Sequence, residues 1–131
     1  MTMKLVKAVL CHGLNEDFSP IFLRSVFRSD DRYVILVTHF DEITDNRFEI
    51  MYQWLHANTR FKLESVATYK DTNQVMSYSY ISPLMLQADR SIDPSGLWAI
   101  EVFFNKRPIL RVHFNIEKTI DTRSYFVDER V

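Results

Sequence analysis

A chain of 131 residues, 47% of them hydrophobic, is long enough for one domain with its own core and too apolar for a disordered segment. Its 16 basic and 17 acidic residues leave a formal net charge of -1, which removes any global attraction to nucleic acid or to an anionic membrane. The single cysteine, Cys11, excludes an intrachain disulfide and suits a reducing compartment.

The N-terminal run from Leu5 to Leu10 is interrupted by Lys7 and is too short and too polar for the core of a signal peptide. No stretch approaches the ~20 apolar residues of a membrane helix. The chain therefore reads as a cytoplasmic protein with no membrane insertion. Leu5, Val9 and Cys11 alternate around Lys7 as a first strand, with Cys11 a small buried hydrophobe. Residues 12–17 break it, and Ser19-Pro20 opens an extended segment, because the residue before proline avoids the helical region. The short apolar run Ile21 to Phe27 fits either a strand or one helical turn.

Residues 32–40 (RYVILVTHF) are rich in β-branched and aromatic side chains and predict a central strand covered on both sides. Phe48, Ile50, Tyr52 and Trp54 alternate with polar neighbours as a half-buried strand, and residues 56–59 turn. Phe61, Leu63, Val66 and Tyr69 follow with less regular alternation. Met76, Tyr78 and Tyr80 alternate with Ser77 and Ser79 in a strand expected to be partly exposed. Ser82-Pro83 ends it, and residues 84–89 predict a short helix or an irregular crossover.

The pattern is clearest between Asp93 and Ile116. Trp98, Ile100, Val102 and Phe104 fall on one face of a strand, and Leu110, Val112, Phe114 and Ile116 fall on one face of the next. The polar break at residues 105–108 joins them into a hairpin with one buried face. Seven to eight strands at regular spacing, without a long helical period, predict an all-β antiparallel sandwich over residues 1–117 and a loosely held tail over 118–131. With only two glycines in the chain, Asp, Asn and Pro must make most turns, and some loops should exceed two residues.

The central strand carrying Trp54, the Pro94-Ser95-Gly96-Leu97-Trp98 entry and the last hairpin ending in Phe114-Asn115-Ile116 together resemble small bacterial immunoglobulin-like modules. The resemblance covers most of residues 4–117, without the inter-sheet disulfide of antibody domains. It implies an immunoglobulin-like sandwich that serves as a binding, spacer or assembly unit and carries no catalytic residues.

Chemical motifs are sparse. Histidines 12, 39, 56 and 113 share no helical i, i+4 spacing, and Asp41, Glu42, Asp45 and Asn46 lack the spacing of a calcium loop. Neither a nucleophile elbow, a P-loop nor a dinucleotide glycine pattern occurs. Arg24 and Arg28 match the Arg-x-x-x-Arg spacing of PilZ-type cyclic-dinucleotide receptors, but no Asp/Asn-x-Ser-x-x-Gly follows shortly after. Lys106, Arg107 and Arg111 read as a solvated hairpin tip rather than an RNA surface. No catalytic residue, metal or cofactor is assigned.

The remaining signal is aromatic. Tyr52, Trp54, Tyr69, Tyr78, Tyr80 and Phe103 are the rings with a route to the surface. Phe103 alternates with the Trp98 face, so it should stand outward with Glu101 and Arg111 as an interaction surface. The expectation is a non-enzymatic module that binds a protein partner or itself. The alternatives are a carbohydrate-binding module using exposed aromatics and a small enzyme or metal protein with an unrecognised site. Nucleic acid is not an expected partner.

Overall fold

The structure, a computed structural model, describes residues 2–17 and 19–119, with only the backbone of Ile21 and Phe22. Among the described residues, nine strands and one helix run in the order β1 (Lys4–Leu14), β2 (Pro20–Leu23), β3 (Val26–Arg28), β4 (Val34–Asp41), β5 (Arg47–His56), β6 (Lys62–Lys70), β7 (Val75–Ile81), α1 (Pro83–Arg90), β8 (Gly96–Phe104) and β9 (Arg107–Glu117). They form an all-β sandwich of a four-stranded sheet, β2-β1-β4-β7, and a five-stranded sheet, β3-β9-β8-β5-β6.

The Ile21 to Phe27 run, ambiguous in sequence, is two strands in two different sheets. Leu23 is paired with Cys11 in one sheet, and Phe27 with Ile116 in the other. The latter pairing is parallel, so the sandwich is not purely antiparallel as expected. Parallel pairing is available here because a long excursion through the rest of the sandwich separates the two strands. Residues 84–89 lie within α1. Ser82 caps it by accepting from the Met85 N–H at 3.2 Å, Pro83 occupies its first turn and Ser91 closes it at φ 53°. Pro83 and Leu86 are its buried residues.

The central hairpin stands as its alternation indicates. Trp98, Ile100, Val102, Phe104, Phe114 and Ile116 are all buried. They pack against Leu36 and Phe40 from the opposite sheet and Phe48, Ile50, Tyr52 and Trp54 from the neighbouring strand. The two tryptophans flank Phe114, with ring centroids 5.8 Å and 6.0 Å away for Trp54 and Trp98. Gly96 opens β8 at φ 109°, where a Cβ would meet the Asn58 Nδ2 at 2.5 Å. The positive φ favours glycine here, and the exposed Asn58 side chain would have to turn aside for a larger residue. This entry is fastened by the Trp98 indole N–H to the Pro94 carbonyl at 2.7 Å, and by the His56 Nε2 donating to the Ser95 carbonyl at 2.8 Å. His56 stacks on Trp98 at 4.5 Å and is 1% exposed, so it closes the core at the end of β5 rather than standing in a surface turn.

The first strand departs from its expected phase. A bulge between Leu5 and Lys7 puts Leu5 opposite Phe40 on the inner face, and Lys7, Val9 and Cys11 opposite His39, Val37 and Ile35 on the outer face. One extra residue reverses the phase of a strand, so Leu5 does not share a side with Val9 and Cys11. Residues 120–131 of the expected tail lie outside the described residues. Thr119, at its start, is pinned by its N–H to Ser29 Oγ at 2.8 Å and its hydroxyl to Asp30 at 2.9 Å.

Candidate interaction surface

The interior of the sandwich is not wholly apolar, and its polar groups decide what lies outside. Ser77 and Ser79 of β7 are buried and face the opposite sheet. Trp54 donates its indole N–H to Ser79 Oγ at 2.9 Å, and Ser65 and Ser79 hydroxyls lie 2.7 Å apart. Tyr69 donates to Ser77 Oγ at 3.1 Å. Thr38 donates to the Ser77 carbonyl at 3.2 Å, which leaves its oxygen to accept from the Tyr52 hydroxyl at 2.6 Å. Burial pushes the Tyr52 phenol up to about 12. These buried hydroxyls are all hydrogen-bonded, so the serines sit inside without an unmet polar group.

With the serines inward, strand alternation forces Met76, Tyr78 and Tyr80 outward. The register then builds rows across the outer face of the four-stranded sheet. Leu23, Cys11, Ile35 and Tyr80 form one row, and Val9, Val37 and Tyr78 a second. Lys7, His39 and Met76 form a third. Cys11, Ile35 and Val37 make a second, smaller hydrophobic cluster, with Val9 and Leu14 against it. They are buried, although no further sheet among the described residues packs on that face. Around them Leu23 is 61% exposed, Tyr80 52%, Met76 46% and Tyr33 45%. Tyr33 meets Tyr80 edge to face at 5.6 Å.

Glu101, Phe103 and Arg111 are brought together on the outer face of the five-stranded sheet. Glu101 and Arg111 are directly paired across β8 and β9 and form an ion pair of 2.8 Å. Phe103 is half-buried between Met51 on one side and Pro108 on the other, next to a bulge at Val102/Phe103. Val66 extends this apolar row onto β6. The adjacent row is polar throughout: Arg111, Glu101, Gln53 and Glu64, with Gln53 donating to Glu64 at 2.9 Å. That bond, with Lys62 beside it, lowers the Glu64 carboxyl below its ordinary range.

Of the other aromatics, Tyr52 and Trp54 are buried, Tyr69 is half-buried, and Tyr78 and Tyr80 are exposed. Arg24 and Arg28 pair with Asp31 at 3.7 Å and Asp30 at 3.5 Å. Among the described residues no three His, Cys, Asp or Glu side chains converge as a metal site. No helix among them is long and apolar enough to cross a membrane. The sequence matches no protein-family model and no curated protein.

Proposed function

We propose that this chain is an immunoglobulin-like interaction module that grips a protein partner on the outer face of its four-stranded sheet. The observation that carries the reading is the set of registered apolar and tyrosine rows on that face, three to four strands wide and continuous with a buried cluster. An apolar patch rimmed by polar residues marks an interaction site more often than plain solvent exposure does. Tyrosine suits such a face, since it offers large contact area and a polar tip at low entropy cost. The strand order supports the immunoglobulin-like part: β4 pairs with β1 and β7 in one sheet, while β5, β8 and β9 adjoin in the other. Fold alone does not assign the role, so the reading rests on the face.

Tyr78→Glu and Tyr80→Glu test it. Both side chains are exposed, so the variants should unfold near the wild-type midpoint. They should lose self-association in sedimentation velocity, or capture of the native partner, whichever the wild type shows. Assembly and capture that both persist would overturn the proposal. A second reading, carbohydrate stacking, draws on the exposed trio Tyr33, Tyr78 and Tyr80. Tyrosine fluorescence titrated with soluble oligosaccharides separates it from protein binding.

A further inference from the structure

We propose that an open groove at the end of the five-stranded sheet, between the β5–β6 strand ends and the β8–β9 turn, binds a small molecule bearing a phosphate monoester. The groove has a volume of about 680 Å³ and is lined by Arg47, Glu49, Thr68, Lys70 and Lys106 among others. It belongs to the other sheet from the tyrosine face and is independent of that reading.

Two local costs converge there. Arg47 and Lys70 are directly opposed on β5 and β6, and like charges opposed across a strand pair repel. Lys106 sits at φ 69° and Asn105 at φ 46°, positive at both central positions of a two-residue hairpin turn. Such turns favour Asn-Gly, and a lysine in the second position is strained where glycine is not. Among the described residues none of the three cations has a carboxylate within ion-pairing distance. The two-residue hairpin requires positive φ at both positions but not a lysine at the second, and an anion among the three cations offsets their repulsion.

The turn is also held in place. Asn105 donates its backbone N–H to the Glu49 carbonyl at 3.0 Å and accepts the Glu49 N–H on its side-chain oxygen at 2.9 Å. Its side-chain nitrogen donates to Asp45 at 3.0 Å. Lys106 is therefore presented from a fixed base, which reduces the ordering cost of binding. Three cations against Glu49, with the Asp45 carboxylate held behind the turn by Asn105, leave the groove net positive. A positive groove favours a phosphate monoester, which carries about -1.5 to -2 near neutral pH, over a singly charged sulfate ester or carboxylate. The Thr68 hydroxyl adds a donor.

The test is thermal unfolding of the full chain in inorganic phosphate, with sulfate and chloride arms at matched ionic strength. The wild type should show a melting temperature that rises and saturates with phosphate, and rises less in sulfate. Lys106→Gly relieves the strained turn and Lys70→Glu converts the opposed pair into an attractive one. Both should melt at or above the wild type in chloride while losing the saturable phosphate response. Isothermal titration with phosphate should show the same loss. A wild-type response that never saturates would be the general salting effect of such ions and would overturn the proposal. So would a saturable response that persists in both variants.

Discussion

The two outer faces of this sandwich are built from opposite materials. On the five-stranded sheet, Arg111, Glu101, Gln53 and Glu64 line up as a hydrogen-bonded and ion-paired row beside the apolar Pro108, Phe103, Met51 and Val66. On the four-stranded sheet, the corresponding rows hold Leu23, Cys11, Ile35, Val9, Val37 and the tyrosines, with Lys7 and His39 only at one margin. A solvent-facing sheet ordinarily alternates apolar inside with polar outside. The five-stranded sheet broadly follows that rule, and the four-stranded sheet departs from it on β1, β4 and β7 together. The four-stranded sheet thus carries the more apolar of the two outer faces, which is why we propose it as the interaction surface.

The largest expected effects come from the core that both sheets share, and they set the scale for the faces. Trp98→Ala removes a fully buried ring stacked on His56 and Phe114, and should cost about 3–5 kcal/mol in urea unfolding. A loss below about 1 kcal/mol would mean that the entry to β8 does not anchor the core. Tyr52 gives a pH handle on the seam between the sheets. Its phenol titrates about 12 when folded against an ordinary value of 10.0, so the folded state favours the neutral form. Its contribution is whole below pH 10 and disappears as pH rises from 10 to about 12, a loss of roughly 3 kcal/mol at 1.36 kcal/mol per unit. Tyr52→Phe should flatten that part of the alkaline stability profile. Gly96→Ala should cost on the order of 1–3 kcal/mol through backbone strain at φ 109°.

The faces themselves come lower on the scale. Arg111→Ala breaks an exposed ion pair and should shift stability by about 0.2–1 kcal/mol, and less in high salt. Phe103→Asp should cost more than that, because Phe103 is half-buried against Met51 and Pro108, yet should leave any association through the tyrosine face intact. A Phe103→Asp variant that folds but no longer associates would transfer the interaction surface to the five-stranded sheet.

Much of the sandwich was legible in the sequence because alternation is a direct record of which side faces the core. The hairpin of Trp98 to Ile116 and the strand of Phe48 to Trp54 both follow from it, whereas Cys11, buried as expected, lies on the outer face. What escaped had a physical reason in each case. The bulge at Leu5/Lys7 inserts a residue whose only effect is on phase, and no residue type marks it. His56 looked like a turn residue because histidine is polar, but Trp98, Thr59 and the Ser95 carbonyl satisfy it inside. The Ser77-Tyr78-Ser79-Tyr80 run shows alternation without saying which set is inside. Size alone favours the tyrosines, but hydrogen bonds from Trp54 and Tyr69 favour the serines. Those donors lie on other strands, so only the register reveals the choice. The tyrosine face could not be assembled from sequence for the same reason, since its rows draw on four strands between Val9 and Tyr80. The expected Glu101–Phe103–Arg111 group lies within one hairpin, and its spacing alone placed it.

The comparison is tested most directly by site-specific photocrosslinking, with a benzophenone side chain placed at Tyr78 in one variant and at Phe103 in another. Each variant is irradiated both alone at high concentration and in extract of the native source. The tyrosine-face variant should yield discrete protein adducts, with a second copy or with a partner, while the Phe103 variant yields few or none. Adducts confined to the Phe103 variant would contradict the assignment of the four-stranded sheet as the face that is covered.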